Sequence, residues 1–282
     1  MSLPITILGG YLGSGKTTLV NHLLRNADGV RLAILVNEFG ELPIDADLIE
    51  AEGDDIISLS GGCVCCSYGN DLMMALMEMA SMDPSPDHII LEASGVALPG
   101  AIENSVSLLE DYRIDGIVVL ADAETVKARS RDKYMGDTIT RQLEDADLVV
   151  LNKCDLVDKE RLDSLQTWLA EGYPKAQMLE AVEAKLPRDV ILQSFETRPK
   201  GSGKFHETEG YWTVWETPEE GVDPTDYGQS LIENRPNLVR AKGFVKDFDG
   251  VLKTIQIVGQ RLEVSKAPTG AQAGVVIIEV ER

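Results

Sequence analysis

The stretch Gly10-Tyr11-Leu12-Gly13-Ser14-Gly15-Lys16-Thr17 constrains the fold of this chain more than any other. It follows a short apolar run, Pro4-Ile5-Thr6-Ile7-Leu8-Gly9, and leads into a segment that places Leu19, Val20, Leu23 and Leu24 along one helical face. Strand, glycine-rich loop and helix in that order read as a phosphate-binding loop. Backbone N–H groups surround the phosphates and the helix N-terminus adds a favourable dipole. Gly13, Ser14, Gly15, Lys16, Thr17 and Thr18 are the candidate nucleotide-binding residues. Lys16 is expected to reach the β- and γ-phosphates and to act in catalysis, and Thr17 to ligate Mg²⁺.

The rest of the first half keeps the alternation going. Leu32–Asn37, Ile56–Leu59, His88–Glu92, Gly116–Asp122 and Asp147–Asn152 are apolar runs separated by helical segments. Near-continuous apolar strands of this kind predict an α/β fold: a P-loop NTPase parallel sheet covered by helices on both faces. Ligands in such sheets lie at the carboxyl ends of the strands, so Asn37, Glu92, Asp122 and Asn152 mark the expected site. The helix after Ile56–Leu59 carries Leu72, Met73, Leu76, Met77 and Met79, read as core packing.

Around Thr197-Arg198-Pro199-Lys200-Gly201-Ser202-Gly203-Lys204 the pattern turns polar and turn-rich. The expected domains are 1–196 for the nucleotide-binding part, 197–208 for a linker and 209–282 for a small α+β C-terminal domain. In the latter, strands are expected at Gly210–Glu216, Leu238–Val245, Leu252–Val258 and Val275–Val280, and a helix around Tyr227–Glu233.

Composition narrows the function. The formal net charge of −21 argues against nucleic-acid and anionic-membrane binding, which rely on basic patches. No apolar run approaches the length of a membrane span, and Met1 leads almost directly into a strand without a basic n-region, so a cytoplasmic location is expected. The four cysteines do not read as a disulfide framework.

Two further motifs carry chemistry. Asn152-Lys153-Cys154-Asp155, after an apolar strand, matches a guanine-specificity signature. A carboxylate at Asp155 can accept from guanine N1–H and the exocyclic amine, a donor pair that adenine lacks, while Lys153 packs its stem along the base. Glu92-Ala93-Ser94-Gly95 ends another strand; Glu92 is placed to hold Mg²⁺ or its water, and Gly95 to offer an N–H to the γ-phosphate. GTP or GDP with Mg²⁺ is thus the expected ligand.

Gly61-Gly62-Cys63-Val64-Cys65-Cys66 sets three thiols within four positions. Reduced thiolates select soft and borderline metals. A closed zinc knot would want four protein ligands, and no second CxxC is present; three buried apolar thiols is the other bland alternative.

Together with Asn37-Glu38-Phe39-Gly40-Glu41, these motifs occur in the order and spacing of the CobW-like GTPases, which the chain resembles over most of residues 4–160. These metal-handling P-loop proteins (the CobW and nitrile hydratase activator type) are related to the nickel-insertion GTPases of urease and hydrogenase. Asn237–Val245 is similar, more weakly, to the small CobW C-terminal domain. The resemblance implies a GTP-hydrolysing metallochaperone in which Cys63, Cys65 and Cys66 bind a transition metal, zinc or cobalt before iron or nickel, for delivery to a client metalloprotein. It also implies an outside ligand, with Glu38 and Glu41 as candidates, and an acid near Mg²⁺ at Asp45.

The chain departs from the family in two ways. Ala93 stands where many relatives carry a small hydroxyl residue, and the histidine-rich storage loop is missing: the only histidines are His22, His88 and His206. His22 and His88 read as structural, His206 as an optional ligand. The competing reading is a metal- or redox-sensing G protein that acts through partner binding. A small-molecule kinase would have no use for the guanine motif or the thiols.

Overall fold

The computed structural model describes residues 2–36, 56–60, 70–192, 206–208 and 210–281. Its contacts divide the chain into two units, Met1–Arg188 and Asp189–Arg282.

In the first unit, β1 (Leu3–Gly10), α1 (Lys16–Arg25), β2 (Leu32–Val36), β3 (Ile56–Ser60), α2 (Asn70–Ala80), β4 (His88–Glu92), α3 (Pro99–Val106) and β5 (Tyr112–Asp122) follow one another. They are succeeded by α4 (Val126–Arg129), α5 (Gly136–Asp145), β6 (Leu148–Asn152), α6 (Lys159–Gly172) and β7 (Gln177–Ala181). The seven strands form one sheet in the order β3-β2-β4-β1-β5-β6-β7, and every pairing is parallel. β1 lies in the middle, so the loop that leaves it opens at the centre of the sheet's carboxyl edge. β2, β4 and β6 are buried along their whole length, as strands covered on both faces must be.

On one face, Ile5 and Ile7 of β1 share a core with Leu72, Leu76 and Met79 of α2, Ile102 and Val106 of α3, Ile139 and Leu143 of α5, and Leu165 and Leu169 of α6. α1 lies against β1 and β4 and buries Leu19, Val20, Leu23 and Leu24, none of which joins that cluster. Strand alternation turns Thr6 and Leu8 away from Ile5 and Ile7, toward the face that α1 covers. One expectation fails here: Met77 is 58% exposed and does not belong to the core. Helical spacing puts Leu72, Leu76 and Met79 inward and turns Met77 out.

A short α7 (Arg188–Ile191) bridges the division between the units. The second unit holds β8 (His206–Thr208), β9 (Tyr211–Glu216), α8 (Pro224–Asn234), β10 (Leu238–Lys246), β11 (Leu252–Val258), β12 (Arg261–Lys266) and β13 (Gly274–Val280). Its six strands form an antiparallel sheet in the order β12-β11-β10-β13-β9-β8. α8 seats Leu231 on Ala241, Val245, Ile255, Ile257, Val275 and Ile277. His206–Thr208, at the end of the span expected to be linker, pair with β9 as a strand. At one end of the sheet, Arg235 ties α8 to β9 and β13 through Glu216 and, at 3.1 Å, Glu279. Among the described residues no helix is long and apolar enough to cross a membrane.

Candidate nucleotide site

The loop after β1 is shaped by close backbone approach. Gly10 has φ +132°, and a Cβ there would lie 2.4 Å from the Leu120 carbonyl. Gly15 has φ +107°, and a Cβ would lie 2.4 Å from Asn152 Nδ2. Only glycine fits these two positions. Gly15 is also the N-cap of α1, which carries no side-chain cap and no acid in its first turn. By contrast, Asp158 caps α6 and Asp223 caps α8. The N-terminus of α1 thus has no side-chain cap, and its dipole favours an anion.

Eight of the sequence-predicted residues come together. Gly13, Gly15, Lys16, Thr17, Thr18, Asn152, Lys153 and Asp155 all line one cavity of about 690 Å³. Lys16 is buried and its ammonium donates to the Gly10 carbonyl at 3.0 Å, which holds the side chain folded over the loop. Thr17 Oγ1 donates to Glu92 Oε1 at 3.1 Å. Glu92, buried at the end of β4, is placed there by the register of β4 with β1 and β2, opposite Leu8 and Val36. The β5–β6 register sets Asp122 beside Asn152. Lys153 adopts a left-handed backbone (φ 63°) and bonds Asp122 Oδ2 at 2.7 Å, while Asp155 stays exposed within a 3₁₀ turn, Cys154–Leu156.

Ser14 is placed differently. Its side chain turns away from the large cavity into a much smaller one behind the loop, shared with Thr125, and neither buried hydroxyl has a hydrogen-bond partner. Asn152 acts as a brace instead of a surface. Its amide donates to the Ser14 carbonyl at 2.9 Å, and its Oδ1 accepts the Ala184 N–H at 2.8 Å. On the outer side of the loop, Arg129 donates to the Leu12 carbonyl at 3.2 Å and stacks 5.3 Å from the Tyr11 ring centroid. Gly95 abuts the loop as well, since a Cβ there would meet Leu12 at 2.7 Å. Burial pushes the Cys154 thiol above its ordinary range, helped by the nearby Glu180 and Asp155 charges against a backbone hydrogen bond that lowers it.

Sequence reasoning missed part of the cavity wall. Asn21, His22 and Arg25 of α1 line it, and so do Glu183 and Lys185 from the loop after β7. The carboxyl-end rule that found Glu92 and Asn152 would have found this loop, had β7 been recognised as a strand. Cys63, Cys65, Cys66, Glu38, Glu41, Asn37 and Asp45 lie outside the described residues, as does the side chain of His206. His88 is buried and its Nε2 lies 2.8 Å from Thr6 Oγ1 within the sheet.

Residues 4–180 match the profile of a protein family described as CobW/HypB/UreG, nucleotide-binding domain. The chain belongs to that CobW/HypB/UreG family. Similar relatives include the zinc chaperone CobW of a Sinorhizobium species, 33% identical over 219 residues, which cover 67% of this chain and 62% of the relative. Another is the zinc-regulated GTPase metalloprotein activator 1 of Dictyostelium discoideum, 30% identical over 296 aligned residues, covering 89% of this chain and 62% of the relative. The chain thus spans 62% of the length of each of these two curated relatives. Among solved structures, the Zn(II)-bound YjiA GTPase from E. coli aligns over 99% of this chain and 95% of its own, with a TM-score of 0.52 and 22% identity. That last likeness speaks to the fold of this CobW/HypB/UreG protein alone.

Proposed function

We propose that this protein is a GTP-hydrolysing metallochaperone that binds a transition metal at Cys63, Cys65 and Cys66 and hands it to a client metalloprotein. The observation that carries the nucleotide half is the cavity lined together by the phosphate loop, Thr17 and Asn152-Lys153-Asp155, with Glu92 bonded to Thr17. The open N-terminus of α1 takes the β- and γ-phosphates, and Lys16 turns from the Gly10 carbonyl to them. Asp155, exposed on the wall of the same cavity, accepts the N1–H and amino group of guanine. Thr17 and Glu92 suit a hard divalent cation, a hydroxyl beside a carboxylate at the loop, and would hold Mg²⁺, which neutralises phosphate charge when bound. In hydrolysis, water attacks the γ-phosphorus and the bond to the β–γ bridging oxygen breaks, giving GDP, phosphate and a proton. Lys16 stabilises the charge that collects on the leaving oxygen.

The metal half rests on the thiols and on kinship. Two relatives at 30–33% identity are named for zinc, which favours zinc as the cargo and leaves cobalt second. Two thiolates with a ligand from Glu38, Glu41 or the client suit a site meant to release its ion. The γ-phosphate orders the segments around it, so metal affinity follows the state of the nucleotide.

The test of the enzymatic half is GTP turnover by the full chain and by Lys16→Ala. Slow phosphate release that the substitution abolishes is expected. Undiminished release from Lys16→Ala would overturn the reading.

A further inference from the structure

We propose that His22 is a positioning residue for base recognition, fixing the loop Glu183–Leu186 where it can meet the base of the bound nucleotide. The inference rests on the guanine-nucleotide reading above.

The loop is held in an unfavourable shape. Glu183 and Ala184 both have φ 52°, two consecutive residues with side chains in the left-handed region, where neither glycine nor asparagine eases the crowding of Cβ. Such backbone persists only where its surroundings fix it. Here it is fixed from both sides. Asn152 Oδ1 accepts the Ala184 N–H at 2.8 Å, and the Lys185 N–H closes the turn onto the Val182 carbonyl at 3.0 Å. From α1, His22 Nε2 lies 2.9 Å from the Leu186 carbonyl.

A carbonyl can only accept, so Nε2 carries the proton. Nδ1 then faces the Asn26 side-chain amide at 3.4 Å, and that amide also donates to the His22 carbonyl at 2.7 Å, which steadies the ring. Ala184 and Leu186 are buried, while Glu183 and Lys185, between and beside them, line the large cavity together with His22 and Asp155. The fixed backbone thus directs two residues into the wall of the cavity that Asp155 also lines.

These bonds close a circuit. The Ser14 carbonyl joins Asn152, Asn152 joins Ala184, the chain runs to Leu186, Leu186 joins His22, and α1 returns to Lys16 and Thr17. His22 and Asn152 thus tie the loop to the phosphate site from two sides. The role of His22 is therefore distinct from that of the groups that hold phosphate, and its loss should be felt at the base.

The test compares the full-length wild type with His22→Ala, His22→Asn and His22→Gln, measuring affinity for GDP and for ADP, with thermal melting to establish that each variant is folded. One lost hydrogen bond to a buried carbonyl predicts GDP binding weakened roughly five- to tenfold in His22→Ala. ADP binding should fall by much less, so the preference for GDP falls by nearly the same factor. His22→Asn is too short to reach Leu186 and should behave alike, which keeps the test open if the alanine variant fails to fold. His22→Gln can present an amide N–H near the Nε2 position and should recover most of the preference. Equal weakening of GDP and ADP, or no change in either, would overturn the inference. A wild type that binds ADP as well as GDP would instead refute the guanine reading itself, and the inference with it.

Discussion

The side-chain amide of Asn152 donates to the Ser14 carbonyl at 2.9 Å and so locks the end of β6 to the phosphate loop that follows β1. The same side chain accepts the Ala184 N–H, and Asn152 is only 2% exposed. Its two ends therefore satisfy two backbone groups that water would reach poorly. Asn152→Ala should cost about 2 kcal/mol, because it leaves a buried donor and a buried acceptor unpaired. It should also weaken nucleotide binding, since both loops loosen. Urea denaturation with a parallel nucleotide titration checks this; unchanged stability and affinity would remove the brace from the account.

The Thr17–Glu92 pair yields a separate expectation. Glu92→Gln keeps an oxygen for Thr17 Oγ1 but removes the charge. GDP affinity should change little, whereas kcat for GTP should fall roughly 100-fold, the equivalent of about 2.7 kcal/mol of lost stabilisation. Higher Mg²⁺ should restore part of the rate. A variant with wild-type turnover at limiting Mg²⁺ would show that Glu92 serves only to fix the end of β4.

Much of this was legible in the sequence, and the parts that were not share a physical cause. β2, β4, β5 and β6 lie inside the sheet and are buried almost throughout, so they read as apolar runs. β7 is an edge strand: Leu179 and Ala181 are buried, but Glu180 between them is exposed, and the short run Gln177–Ala181 carries no clear period. β12, at the edge of the second sheet, buries none of its residues fully and was missed for the same reason. The loop at Glu183–Ala184 was hidden because a left-handed backbone is usually announced by glycine, and neither residue is one. Lys16, Thr17, Asn152 and Asp155, which line one cavity, could be named as candidates because they sit in local motifs. His22 could not, because its partner Leu186 is distant in the chain and offers only a backbone carbonyl.

Cys154 gives a prediction about pH. Burial raises its thiol pKa, so at any pH below that value less thiolate is present than in a free cysteine. With Cys63, Cys65 and Cys66 replaced by serine, alkylation of Cys154 near neutral pH should be slower than that of a free thiol. Its rate should keep climbing above the pH at which a free thiol has levelled off. A rate profile matching that of free cysteine would contradict the burial argument.

The central claim is that the thiol site answers to the nucleotide. The reduced, metal-free chain should be titrated with Zn²⁺ and Co²⁺ against a competing chelator, once with a non-hydrolysable GTP analogue and Mg²⁺, and once with GDP and Mg²⁺. Tighter metal binding in one nucleotide state than in the other is the predicted result, with the metal lost altogether in the variant carrying Cys65→Ser and Cys66→Ser. Equal affinity in both states would contradict the account, leaving the metal as a fixed part of the protein instead of its cargo.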